Sequence, residues 1–176
     1  MNSVNNVDNI VLIGMPGVGK STIGVILAKV LGYNFIDTDI LIQEKTGKLL
    51  FQIIQESGID DFINIENNVN KELSVEKSVI ATGGSVVYGK EAMEHLKSIG
   101  KIIYLKQDFE RINERVSNIN GRGVVLRDNQ TFLDLYNERT PLYEKYADIV
   151  LDEEDLSIED TLRKLIYELN KQKKIT

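Results

Sequence analysis

The sequence predicts an α/β fold in which a parallel sheet is covered by helices on both faces. Three observations carry this. Short apolar runs alternate along the chain with longer stretches of helical periodicity. The first of these runs passes directly into Gly14-Met-Pro-Gly-Val-Gly-Lys20-Ser21-Thr22, which fits the pattern G-x-x-x-x-G-K-[ST] in strand–loop–helix context. Glycine or acidic signals also stand at three expected strand ends: Gly14, Asp37-Thr-Asp39 and Thr82-Gly-Gly84. Open α/β sheets bind their ligands at such ends.

Taken in order, the first strand is expected at 9–13 and the first helix at 20–31. There Ile23, Ile26, Leu27, Val30 and Leu31 keep the i, i+3, i+4, i+7, i+8 spacing of one buried face. Gly32 ends the helix, as glycine does just past a helical C-terminus. Phe35-Ile36 reads as a short strand running into Asp37-Thr-Asp39. Helical stretches follow at 40–45, stopped by Gly47, then at 49–55 and 60–73, split by Ser57-Gly58. This helical region, about 38–74, lies between strands and is too long for a plain crossover, so it reads as a substrate-facing lobe.

Residues 78–81 form the next strand, 91–98 a helix closed by Gly100, and 101–105 a further strand. Asp108 is a favourable N-cap for a helix carrying Glu110 and Arg111. Periodicity then breaks over 118–129, where Gly121, Gly123, Arg122 and Arg127 suit a mobile lid at about 118–130. A helix over 130–146 is expected to bend or restart at Pro141. Residues 147–151 are the last strand, and Ile158, Leu162, Leu165, Ile166 and Leu169 mark a final amphipathic helix. With no internal repeat or linker, the 176 residues read as one domain.

Composition narrows the partners. A net charge of -6, with no dense Lys/Arg cluster before Lys171-Gln-Lys-Lys174, argues against nucleic acid. There is no cysteine, hence no disulfide framework, thiol nucleophile or Cys-based metal site, which fits a cytoplasmic protein. Residues 1–8 are polar and lack the basic and apolar regions of a leader, and no window has the apolar length of a membrane span. The expected partner is a small molecule bound by a monomer. His95, the one histidine, reads as an exposed helix position.

The chemistry gathers at the strand ends. Glycines at 14, 17 and 19 let the backbone press its N–H groups against a phosphate, and the following helix adds the positive end of its dipole. Gly14, Gly17, Val18, Gly19, Lys20, Ser21 and Thr22 are therefore the expected nucleotide-binding loop. Lys20 is placed to meet β/γ-phosphates, and the Ser21 hydroxyl to ligate Mg²⁺. Asp37 and Asp39 can divide labour: Asp37, nearer the strand, faces Mg²⁺ beside Ser21, while Asp39 orients an acceptor hydroxyl and takes its proton. The alternative is that either aspartate merely caps the helix that follows, and the neighbouring phosphate loop favours the functional reading. Gly83-Gly84 allows close approach of a ligand or forms a plain tight turn. Arg122 can swing over a transferring phosphate, with Arg127 a less well-placed substitute. Arg115 can stack on an adenine face or sit solvated on its helix. Arg139, before Thr140-Pro-Leu-Tyr143, can clamp an acidic substrate with its planar fork.

Together, Gly-x-x-Gly-x-Gly-Lys-Ser-Thr at 14–22, Asp37-x-Asp39, Thr46-Gly47, Phe62 followed by Glu66, Gly83-Gly84, Arg122 and Arg139-x-Pro-Leu-Tyr143 resemble the shikimate kinase family over about residues 9–170. The resemblance implies an ATP-dependent kinase of aromatic amino acid biosynthesis. Its fold would be nucleoside-monophosphate-kinase-like, a three-layer P-loop fold with a five-stranded parallel sheet and a closing lid. It assigns Lys20 and Arg122 to phosphates, Ser21 and Asp37 to magnesium, and Asp39, Gly84 and Arg139 to shikimate, with Gly83 beside them.

Three positions depart from the family pattern. Ile63 stands where an arginine usually follows Phe62 and holds the substrate carboxylate. Ser85 replaces a third glycine, and Arg122 precedes Gly-Val-Val rather than Pro-Leu-Leu. Losing one arm of a desolvated, charge-assisted clamp costs about 2–5 kcal/mol. That opens two alternatives: a kinase of the same fold with another acceptor, or a nucleotide-binding regulatory protein without turnover. Retention of Lys20, Ser21, Asp37, Asp39 and Arg122 speaks against the latter.

Overall fold

The computed structural model describes residues 9–117, 124, 126–153 and 156–173. Five strands, β1 (Asn9–Ile13), β2 (Asn34–Asp37), β3 (Ser78–Ala81), β4 (Gly100–Lys106) and β5 (Ile149–Asp152), form one sheet. Its order is β2-β3-β1-β4-β5 and every pairing is parallel. The helices are α1 (Lys20–Leu31), α2 (Thr38–Thr46), α3 (Leu50–Lys71), α4 (Lys90–Ile99), α5 (Phe109–Ser117), α6 (Phe132–Tyr146) and α7 (Ile158–Lys173).

The period of two along each strand builds two separate cores. Val11 and Ile13 of β1, with Ile102 and Tyr104 of β4, face Met93 and Leu96 of α4 and Tyr143 of α6. Ile10 and Leu12, with Ile103 and Leu105, face Leu27 of α1 and Leu165 of α7. A strand buried on both sides reads as an unbroken apolar run, as β1 does after Asn9. Asn9 itself is buried but satisfied. Its amide donates to the carbonyls of Val75 (2.8 Å) and Ile99 (2.9 Å) and accepts from the Ser78 N–H at 3.0 Å. It thus ties together the starts of three strands.

The chain runs from β1 leftward through β2 and β3, then crosses to β4 and β5 on the other side of β1. The reversal point lies beside β1, so the loops after β1 and β3 meet at the carboxyl edge. Over that edge sits the lobe of α2 and α3, with a small core of its own from Ile42, Ile53, Phe62 and Val69.

Several boundaries differ from the sequence expectations, each for a local reason. α2 begins at Thr38 rather than at 40, because Asp37 caps it. The two helices expected either side of Ser57-Gly58 are joined as α3, with the break kept as a non-helical Gly58 (φ 84°, ψ 174°). A short 3-10 turn, Val86–Tyr88, was not foreseen. α6 does not restart at Pro141. Asn137, whose carbonyl would have received the missing N–H, is exposed, so water can take that place. α6 starts later than expected, after a capping box between Thr131 and Asp134. His95 is not exposed: it is half-buried, and its Nε2 donates to the Leu73 carbonyl at 2.7 Å.

Candidate active site

The loop between β1 and α1 wraps around its own lysine. Gly17 has φ 84°, and a Cβ there would also lie 2.9 Å from the Val116 side chain, so only glycine fits this turn. Lys20, the first residue of α1, is buried, and its Nζ donates to the carbonyls of Gly14 (2.8 Å) and Met15 (2.9 Å). Burial pulls its pKa from 10.5 down to about 8. Asp39, Asp37 and Glu66 oppose that shift and Arg139 adds to it. An incoming phosphate would favour the charged form again.

One carboxylate links the loop to the lobe. Asp37, the last residue of β2, accepts from the Ser21 hydroxyl at Oδ2 (2.8 Å) and from the Asp39 N–H at Oδ1 (3.0 Å). It caps α2 and faces the phosphate loop at once, so the capping alternative posed by the sequence holds for Asp37. A hydroxyl and a carboxylate oxygen side by side are hard donors that fit Mg²⁺, which draws its remaining ligands from phosphates and water.

Two clefts flank the loop. The first, about 550 Å³, is lined by Lys20, Ser21, Asp39, Gly83, Gly84 and Arg139, among others. The second, about 520 Å³, holds Val18, Gln107, Arg115 and Glu153. Gly17, Gly19 and Thr22 line both, which makes the loop the ridge between them. Arg139 is 1% exposed although its guanidinium lines the first cleft. Its Nε donates to the Tyr88 hydroxyl at 3.2 Å, and its guanidinium carbon lies 5.2 Å from the Tyr88 ring centroid. The Tyr88 hydroxyl in turn donates to Glu138. A Cβ on Gly84 would lie 2.8 Å from Pro16 and 3.1 Å from Arg139 Nη1, so the glycine lets the cation reach the floor of the cleft. Tyr143 fixes that floor by donating to the Gly84 carbonyl at 2.6 Å.

Residues 16–170 match the family model described as shikimate kinase. The chain belongs to the shikimate kinase family. A shikimate kinase of Thermodesulfovibrio yellowstonii is 39% identical over 163 residues, covering 91% of this chain and 94% of the relative. One from Clostridium botulinum (strain Eklund 17B) is 41% identical over 139 residues, 78% of this chain and 83% of the relative. Among solved structures, shikimate kinase from Acinetobacter baumannii in complex with shikimate superposes with a TM-score of 0.87 at 32% identity, over 96% of each chain. Membership in a family of kinases named for an alcohol substrate makes the chain a phosphotransferase with an alcohol group as acceptor.

Within this shikimate kinase fold, the sequence-derived residues that are described fall into the two clefts, apart from Gly14, which lines neither and accepts from Lys20 Nζ, and Arg127. Lys20, Ser21, Asp37, Asp39, Gly83, Gly84 and Arg139 line the first, and Arg115 the second, where its Nη1 donates to the Val18 carbonyl at 3.4 Å. Arg127 instead pairs with Asp60 at 2.9 Å. Arg122 and most of the expected lid lie outside the described residues. Ile63 is half-buried and absent from the lining of the first cleft, whose cationic side chains, among the described residues, are Lys20 and Arg139.

Sequence reasoning missed three groups. Ser85 donates to Glu66 Oε2, so two positions noted separately, one as a departure, form a pair. Gln107 and Glu153, both buried, line the second cleft. Burial pushes the Glu153 carboxyl up to about 7, against the pull of Arg115 and the Thr161 hydroxyl. Neither residue belongs to a motif, and only their places just past β4 and β5, at the carboxyl edge, marked them in advance.

Proposed function

We propose that this protein transfers the γ-phosphoryl group of ATP to a hydroxyl of shikimate, with Mg²⁺ held by Ser21 and Asp37. The observation that carries this reading is the convergence of Lys20, Asp39, Gly84 and Arg139 on one cleft beside the phosphate loop. A relative at 32% identity has been solved with shikimate, and that supports the choice of acceptor.

In this reading the triphosphate lies along the loop with its base in the cleft of Arg115, and the acceptor lies between Asp39 and Arg139. When bound, Mg²⁺ supplies neutralising charge to the β- and γ-phosphate oxygens. Asp39 holds the acceptor hydroxyl in line and takes its proton as the new O–P bond forms and the bond to the ADP oxygen breaks. Lys20 leaves the carbonyls of Gly14 and Met15 for the phosphate oxygens, trading two neutral acceptors for an anion. Arg139 holds the acceptor's acid group, and Arg122 is the lid cation. ADP release coupled to a reporter, with Mg·ATP and with or without shikimate, tests this; release that ignores shikimate overturns it.

A second reading has one observation in its favour. With Ile63 outside the lining, the first cleft offers Arg139 as its cation away from the phosphate loop, among the described residues. Leu49 and Phe51, half exposed, add apolar surface at its mouth. An acceptor less acidic than shikimate would suit such a cleft. Release of ADP with other hydroxylated compounds and not with shikimate selects this reading.

A further inference from the structure

Arg139 lines the first cleft, but a residue that holds it stands behind the cleft. Tyr88, the last residue of the 3-10 turn, lines neither cleft. Its contact with Arg139 is double. The Arg139 Nε donates to the Tyr88 hydroxyl at 3.2 Å, and the guanidinium carbon lies 5.2 Å from the ring centroid. One tyrosine thus fixes both an edge and a face of the cation. The need for such support follows from Ile63. Among the described residues the cationic side chains of the cleft are Lys20 and Arg139, and Lys20 belongs to the phosphate loop. An arginine that must hold an acid group without a second cation binds better when its rotamer is set beforehand.

A hydroxyl oxygen accepts from Arg139 only while its own proton points elsewhere. Glu138 takes that proton, since the Tyr88 hydroxyl donates to its Oε1. Glu138 Oε2 accepts from Gln130 Nε2 at 2.8 Å, so the carboxylate is held at both oxygens. Gln130 is itself pinned: its Oε1 accepts from the Arg127 N–H at 3.1 Å, and its N–H donates to the Arg127 carbonyl at 3.0 Å. Burial first, then Glu138, push the Tyr88 pKa up, against the pull of Arg139. The hydroxyl therefore keeps its proton through neutral pH. Every donor in this line has one direction, and the lone pairs of the Tyr88 oxygen are left for Arg139.

Resting on the kinase reading above, we propose that Tyr88, its hydroxyl oriented by Glu138, is a positioning residue that sets Arg139 for the acid group of the acceptor. It acts through the arginine alone.

The test crosses protein and acceptor changes in the full chain, with ADP release as the readout. Acceptors are shikimate and its analogue with hydrogen in place of the carboxylate, compared as kcat/KM. Tyr88→Phe keeps the ring and loses the hydroxyl. It should raise the KM for shikimate by about three- to tenfold, with kcat little changed and the KM for ATP unmoved. With the analogue the same substitution should leave kcat/KM within about twofold, because no acid group calls on Arg139. A general loosening of the site would penalise both acceptors alike. Glu138→Ala, at an exposed position of α6, should raise the KM for shikimate in the same direction and add no further rise in the Tyr88→Phe background. Matched thermal melts confirm that each variant is folded. An unchanged KM in Tyr88→Phe, an equal penalty on both acceptors, or additive effects of the two substitutions overturn this inference alone. A natural chain inactive with shikimate, or equally active with the analogue, overturns the assignment of the acid group to Arg139 and this inference with it.

Discussion

The Ser21 hydroxyl donates to Asp37 Oδ2 at 2.8 Å, and this contact joins the first turn of α1 to the end of β2. The other Asp37 oxygen caps α2, so the aspartate serves stability with one oxygen and the phosphate loop with the other. Asn at this position keeps a carbonyl oxygen for the cap but loses the charge that a divalent cation needs. Asp37→Asn is expected to change stability by less than about 1 kcal/mol while raising the Mg²⁺ concentration for half-maximal ADP release by about tenfold or more. An unchanged Mg²⁺ titration would remove Asp37 from the metal site.

Asp39, whose N–H donates to that cap, lines the first cleft. Asp39→Asn removes a proton acceptor while leaving shape and hydrogen-bonding reach almost intact. Turnover should fall by about 10²–10⁴, the usual span for a lost general base, with nucleotide affinity within a few-fold. Steady-state kinetics alongside nucleotide titration separates the two effects, and near-normal turnover rules the role out.

The strands and the phosphate loop were legible because their signals are local. β1 and α1 occupy the residues expected from apolar runs and from Gly32 alone. The places where reading failed depend on partners far along the chain. Ser85 and Glu66 stand on different elements, and nothing in the short range around either announces that one donates to the other. His95 has no motif around it in the sequence, yet α4 packs it against the end of α3, where the Leu73 carbonyl waits. Pro141 is a local helix breaker overridden by tertiary packing, since Arg139 and Tyr143, on either side of it, are both buried in the site.

The same geometry bears on Ile63. Arg at this position would start one turn from Glu66 and reach toward the acceptor beside Arg139. Ile63→Arg should lower the KM for shikimate by about tenfold, a charge-assisted bond to a carboxylate, and pull Glu66 toward its ionised form. ADP release over a range of shikimate concentrations gives the answer. An unchanged KM would mean that Arg139 and backbone donors already hold the acid group.

Glu153 gives a prediction about stability rather than turnover. Folded, its carboxyl is pushed up from 4.5 to about 7, chiefly by burial, with Asp152 adding to the shift and Arg115, Thr161 and Lys20 opposing it. Between those two values the folded chain holds a proton that the unfolded chain has released. The stability that this proton gives is full below about pH 4.5 and lost as pH rises through about 7. Gln at this position cannot ionise and keeps the contact with the Thr161 hydroxyl. Without nucleotide, Glu153→Gln should melt close to the natural chain at pH 5 and above it at pH 8. The gap should reach about 1–3 kcal/mol, or several degrees in a chain of this size. Arg115 sets the lower end of that range, because the variant also deprives its guanidinium of a neighbouring negative charge at pH 8. Thermal melts at the two pH values decide it: a gap of the same size at both would mean that the carboxyl's charge is already compensated in the fold.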